Sequence, residues 1–323
     1  MFRLLLKKAF LESWLLLTAC GLMVFVFCWT RVWIVTRFEL QRFQGFLEQL
    51  RQFEQFMPVP LEQVLTYPGS LALTFDEPVL LLCILVWSIS RGSDVVSGEL
   101  GRGTLEMLLA QPVGRLRLLI AHSLLSIVGV GLLVSLTWLG LVAGIRTNSV
   151  RETVQTGAAI ELPFWNLRIP IMSGGEDTVL VPLSQRVDAS IFLSPCLNLF
   201  AFALFMLSLS TLLSAVDRYR WRTIGVVVGI YVIELLIYLL AKATPGTAWC
   251  HSFTFFTLYQ PDGIVHLISR DPAAAWALTH PRSLFWLTNL GPLGRSLALL
   301  AMSCVCFATA GWYFQRRDLP APV

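Results

Sequence analysis

A chain of 323 residues with 56% hydrophobic residues, 14% charged residues and a mean hydropathy of +0.70 has too little polar surface to coat a water-soluble domain. Its formal net charge of +4 comes from arginines scattered between apolar runs, with no basic stripe, which argues against nucleic acid as a partner. The chain reads as an integral membrane protein. Backbone polar groups in a bilayer must be satisfied internally, so apolar runs of this length mean spanning helices.

The opening "MFRLLLKKAF" is basic and leads into an apolar run that ends near Val35, with Trp29, Arg31 and Trp33 close to its exit. No small-residue cleavage site follows, so an uncleaved first span is predicted over about residues 12–35. The outward segment 36–75 contains "RFELQRFQGFLEQLRQFEQFMP", which sets Phe43, Phe46, Leu47, Leu50, Phe53 and Met57 three and four apart. That spacing predicts an amphipathic helix, lying on the membrane or packed on the spans, with a substrate-contacting lid as the alternative.

The second span, about 76–96, is opened by Asp76, Glu77 and Pro78 and carries Arg91 and Asp94 near its exit; the third covers about 117–145. Residues 146–188 are polar and rich in turn formers, as in "IMSGGEDTV", and suit a small outward cap. The fourth and fifth spans are read at about 189–214 and 222–241. Glu234 falls near the middle of the fifth, where a carboxylate must take a proton, a partner or a cavity. Bonding to a neighbouring helix or to Arg295, and a place in a translocation path, both remain open for it. The outward segment 242–283 includes "CHSFTFFTLYQPDGIVHLI", too broken for a crossing and consistent with a re-entrant or interfacial helix pair. The sixth span, about 284–314, holds Arg295 in its outer part. With no internal repeat, residues 1–323 form one all-α, polytopic membrane domain.

Orientation follows from the short loops. Arg3, Lys7 and Lys8, then Arg91, Arg102, Arg115 and Arg117, then Arg218, Arg220 and Arg222, and finally Arg316 and Arg317 gather on one side, which the positive-inside rule makes cytoplasmic together with both termini. Catalytic signatures are thin. The three lysines, Lys7, Lys8 and Lys242, never follow a glycine, so the chain carries no phosphate-binding loop. His122, His251, His266 and His280 lack metal-site spacing, and Cys304 and Cys306 point to different helix faces. The seven cysteines lie mostly in apolar runs and suggest no disulfide framework. No catalytic, cofactor-binding or metal residue is assigned.

The passage "SGELGRGTLEMLLAQPVGRLRLL" between the second and third spans is different. Ser97, Gly98, Gly101 and Gly103 discourage a continuous helix. The stretch 103–111 can then form a short one, with Thr104 as N-cap, Glu106 in the first turn, and Leu105, Leu108 and Leu109 on one face. Pro112 and Gly114 stop it, and Arg115 and Arg117 anchor the next span. Such a helix suits a groove on another cytoplasmic protein; resting on the lipid surface is the alternative.

This passage resembles the cytoplasmic loop of ABC-2 type transporter permeases through Glu99, Gly103, Thr104, Leu105, Glu106, Leu108, Leu109, Gln111, Pro112, Val113 and Arg115. "FQGFLEQL" and "YPGSLALTFDEPVLLL" are similar to the matching region of some members, while His122 stands where members often have lysine. The resemblance implies a six-span subunit of ABC-2, type V exporter-like architecture in a prokaryotic plasma membrane. It implies pairing as a homodimer or heterodimer with a second permease subunit, and a coupling helix that meets a separate ABC ATPase. ATP and Mg would then sit on the ATPase, with no cofactor bound by this chain. A non-transporting scaffold, pulling mechanically on an envelope partner, is the alternative function.

Overall fold

Six helices among the described residues are long and apolar enough to cross a bilayer: Leu6–Arg37, Tyr67–Gly101, Arg115–Thr147, Ala189–Val216, Arg220–Ala243 and Pro292–Arg316. The computed structural model of the chain describes residues 2–37, 66–103, 114–155, 159–162, 167–170, 176–243, 245–279 and 289–317. The six predicted spans are therefore present. The amphipathic helix expected from Phe43 to Met57 lies outside the described residues.

Helix α1 runs unbroken over Phe2–Arg37. The second crossing is composite. Thr66 caps α2 (Tyr67–Ala72) by accepting the Gly69 N–H, and a 3-10 turn over Leu73–Phe75 leads to α3 (Pro78–Ser93), which begins on a proline whose missing N–H costs nothing there. A π-helical turn, Asp94–Gly98, and a closing α-turn, Glu99–Gly101, complete it. Then come α4 (Arg115–Thr147), α5 (Leu193–Val216), α6 (Arg220–Ala243), the short α7 (Pro261–Arg270) and α8 (Pro292–Arg316).

Helix α5 is the axis of the bundle. Most of its residues are buried, and it packs on α3, α4 and α8, whereas α6 is largely uncovered and leaves Ile233, Leu236 and Leu240 facing outward. Two close approaches hold the outer helices. Val32 of α1 presses on Gly144 of α4, where an added Cβ would lie 2.6 Å from the Val32 Cβ, and Gly140 meets the Phe25 carbonyl one turn away. This small-xxx-small pair lets two backbones touch in a medium that supplies no hydrophobic drive between helices. Trp87 of α3 lies over Gly129 of α4 and donates its Nε1–H to the Ser126 carbonyl at 3.1 Å.

The outward segments differ in kind from the spans. Within 146–188 the chain forms β1 (Ser149–Gln155) paired antiparallel with β4 (Glu176–Pro182), register Ser149 to Pro182, and β2 (Ala159–Leu162) paired with β3 (Leu167–Pro170). The all-helical character thus belongs to the membrane part. Among the described residues of the segment 242–283 the expected helix pair is not seen: α7 is the one α-helix there, flanked by 3-10 stretches at Pro245–Phe253, Phe255–Thr257 and Pro272–Trp276. Pro261 and Pro272 cut it into pieces too short to cross. Ile264, Val265 and Ile268 bury one face of α7, Phe202 of α5 stacks on Tyr259 at 4.5 Å, and the Tyr259 hydroxyl donates to the Phe75 carbonyl at 2.8 Å.

Candidate functional site

The inner end of the second crossing places Arg91, Asp94 and Glu99 almost completely out of contact with solvent. Buried charge of this kind persists only where it is paired. The Asp94 Oδ1 takes Arg102 at 2.8 Å and Arg220 at 3.3 Å, while its Oδ2 faces Arg91 at 3.5 Å. Glu99 takes Lys8 of α1 at 3.0 Å and Arg102 at 3.2 Å, and Lys8 also lies 3.7 Å from Glu12. Arg102 therefore bridges both carboxylates. Burial works against its charge, but the hydrogen bond and charge of Asp94, followed by those of Glu99, more than offset this and hold its pKa above the usual arginine value.

The π-turn makes the geometry. Widening the helix turns Asp94 and Glu99, five residues apart, toward one guanidinium, and π-turns of this kind recur at functional positions. Helix α5 props it up. The Ser214 hydroxyl receives the Val96 and Ser97 N–H groups at 3.2 and 2.9 Å and donates to the Ser93 carbonyl at 3.0 Å. Gly92 permits this closeness, since a Cβ there would lie 2.7 Å from the Leu207 carbonyl oxygen. Arg220 of α6 adds bonds to the Ser90 hydroxyl at 3.0 Å and carbonyl at 3.3 Å. His122 of α4 is buried within the electrostatic reach of Glu99, Arg91, Asp94 and Lys8, with neither ring nitrogen hydrogen-bonded.

The crossing ends at Gly103, whose φ of +69° is the left-handed conformation that closes helices, with its N–H bonded to the Leu100 carbonyl. On the far side of the loop, Gly114 caps α4. Arg115 donates to the Arg317 carbonyl at 2.6 Å, with the Phe314 and Gln315 carbonyls at 3.5 Å, and Arg317 donates to the Ala215 and Asp217 carbonyls at 2.8 and 3.1 Å. Cationic side chains thus meet the unsatisfied carbonyls and negative dipole ends of α8 and α5. Beneath them Val95, Val96, Leu118, Leu119, Ala215 and Phe314 form a small apolar core.

Sequence expectations change here at three places. Glu99, read as a docking residue, is completely buried in ion pairs and faces the bundle, because Lys8 and Arg102 reach it there. Arg115, expected to anchor the third span at the surface, caps another helix through the carbonyls at the end of α8. Gly103 marks the turn, while Thr104, Leu105, Glu106, Leu108, Leu109, Gln111, Pro112 and Val113 lie outside the described residues. The suggested Glu234–Arg295 contact is not formed. Arg295 donates to the Gln260 Oε1 at 2.6 Å and the Leu290 carbonyl at 3.1 Å, and the buried Glu234 Oε2 has no hydrogen-bond partner. Sequence reading used Lys8, Arg102 and Arg220 only for orientation and did not single out Ser214; the signal was the pair of unlike charges, Arg91 and Asp94, at a span exit. The arrangement offers no nucleophile and base in register. It is a clamp joining α1, α3, α5 and α6.

A family model described as ABC-2 family transporter protein matches residues 11–319, nearly the whole chain. No curated protein matches it.

Proposed function

This chain belongs to the ABC-2 transporter family, and on that footing we propose that it is the permease subunit of an exporter in a prokaryotic plasma membrane, driven by a separate ATPase that docks on the loop between Gly103 and Gly114. Members of the family are membrane transport components that work with ABC ATPases, which is why a chain without a phosphate-binding loop still does work on a cargo. ATP and Mg belong to that partner, and a second permease copy or relative completes the pore.

The observation that carries the reading is the anchoring of both loop roots. At Gly103 the chain enters the ion clamp that holds α1, α3, α5 and α6; at Gly114 it enters α4, tied through Arg115 to the end of α8. A push on the loop is therefore delivered to the bundle at two places at once. Spans so connected can switch between inward- and outward-open states, and cargo moves because its affinity differs between them.

The docking face is Leu105, Leu108 and Leu109 with Glu106. Glu106→Arg or Leu108→Asp should leave insertion intact and weaken co-purification with the ATPase by at least about tenfold, equivalent to about 1.4 kcal/mol, with transport into vesicles lost in parallel. Normal complex formation and transport in both variants would overturn the docking assignment.

A further inference from the structure

Three spans leave the bilayer together at the basic end: α5 ends at Val216, α6 begins at Arg220 and α8 ends at Arg316. Between them lies an open pocket of about 370 Å³, lined by Arg218, Arg222 and Arg317 together with a single acid, Asp217. A guanidinium is not deprotonated in proteins, so the lining holds three permanent cations against one carboxylate. That carboxylate is already engaged. Its Oδ1 accepts the Arg218 and Tyr219 N–H groups at 2.7 and 3.2 Å, and its Oδ2 faces Arg222 at 3.5 Å. Arg317 is fixed at the pocket through its Nη1, which donates to the Ala215 and Asp217 carbonyls, and its Nη2 has no partner among the described residues. The Arg218 guanidinium lies 5.9 Å from the centre of the Tyr219 ring and pairs with no carboxylate among the described residues. The remaining wall is apolar: Val216 and Val226 line it and stay exposed on helices that cross the bilayer, and Trp221, next to Arg222, is exposed as well.

We propose that this pocket binds one anionic phospholipid of the adjoining leaflet, its phosphate among Arg218, Arg222 and Arg317 and its acyl chains along Val216 and Val226. Guanidiniums present paired N–H donors that match phosphate oxygens, and basic pockets between spans at headgroup level favour anionic lipids. A zwitterionic lipid brings the same phosphate with an ammonium that the arginines repel, so the net charge of the headgroup decides. The site stands without the transport reading. It is also placed to act on the loop: Arg218 and Arg222 flank Arg220, which pairs with Asp94 in the clamp, and the Arg317 carbonyl accepts Arg115. A bound lipid therefore braces both roots of the loop between Gly103 and Gly114.

Native mass spectrometry of the full chain, delipidated in a neutral detergent without the ATPase, compares dioleoyl phosphatidylglycerol with phosphatidylcholine of the same chains. The anionic lipid should fill one tight site per chain that the zwitterionic lipid leaves empty. Arg218→Gln and Arg222→Gln should each weaken it about fivefold. Asp217→Asn, which keeps an acceptor for the two N–H groups, should tighten it, a change that loss of folding cannot imitate. Equal binding of the two lipids, or unchanged affinity in both Arg variants together with Asp217→Asn, would overturn the proposal. Glycerol phosphate, which has the phosphate and no chains, should not displace the lipid; displacement would mark a free phosphate ligand and overturn the lipid assignment. Added ATPase should leave the lipid in place, and its release on complex formation would give the arginines to a protein contact instead. Glu106→Arg should hold the lipid like the native chain. A docking failure and a failure of this site are therefore separate results.

Discussion

Asp94 concentrates more cohesion than any other polar residue described in the bundle, because one buried carboxylate faces Arg91, Arg102 and Arg220 from three directions. Neutralising it leaves Arg91, itself buried, without a counter-charge and lets three guanidiniums repel across the space. Removing one member of a fully buried pair costs about 3–5 kcal/mol. Arg102 and Arg220 keep about two-fifths of their side-chain surface exposed, so solvent screening brings the expected cost of Asp94→Asn down to about 1–3 kcal/mol. In a thermal melt of the detergent-solubilised chain this variant should unfold several degrees below the native protein, and Arg220→Gln should fall between the two. An unchanged midpoint for Asp94→Asn would show that the clamp adds nothing to stability. His122 carries the opposite lesson: a buried imidazole with no bonded nitrogen contributes volume without a fixed polar contact.

Between elements, contact distance decides more than polarity does. Gly144 sits so close to Val32 that any side chain must push α1 and α4 apart. Gly144→Leu should cost about 1–3 kcal/mol by overpacking, and Val32→Ala, which vacates the space, should restore part of it. A double variant no more stable than the single one would mean that the two helices are not held at this point. The same comparison explains what could be read from the sequence. The six spans were legible because an apolar run of helix length has one meaning in a bilayer, and the basic loops oriented them. The Gly140–Gly144 contact was not, since the facing residue lies on another span more than a hundred positions away. Nor was the ladder Ser149–Pro182, whose strands are separated by turn-forming residues that gave only a cap. For the site, Arg91 and Asp94 signalled the clamp, but an acidic residue two positions past Ser97 looked like a loop residue until Lys8, 91 positions upstream, closed on it. The π-turn that aims both carboxylates at Arg102 depends on the Ser214 hydroxyl of α5, which local sequence does not announce.

At the scale of the molecule one loop is rooted at two places in a bundle whose helices are packed on one another throughout. The first root belongs to α1, α3, α5 and α6 through the ion clamp, and the second to α4 and α8 through the Arg115 guanidinium on the Arg317 carbonyl. Arg317 continues the chain of contacts to the Ala215 carbonyl at the end of α5, so the two roots meet again at the basic end. If the loop is where force enters, Arg115 transmits it and does not receive it. Arg115→Ala removes the guanidinium bonds to the carbonyls at the α8 terminus while leaving Leu105, Glu106 and Leu108 untouched. The expected outcome is normal co-purification with the ATPase, retained nucleotide hydrolysis, and transport reduced about tenfold, a loss of about 1.4 kcal/mol of coupling. The sequence pattern, which groups Arg115 with the docking residues, expects instead that the complex itself falls apart. Measuring complex formation and vesicle transport on the same preparation separates the two. Dissociation would place Arg115 on the ATPase surface, and intact binding with uncoupled transport would make it the tie through which α8 follows α4.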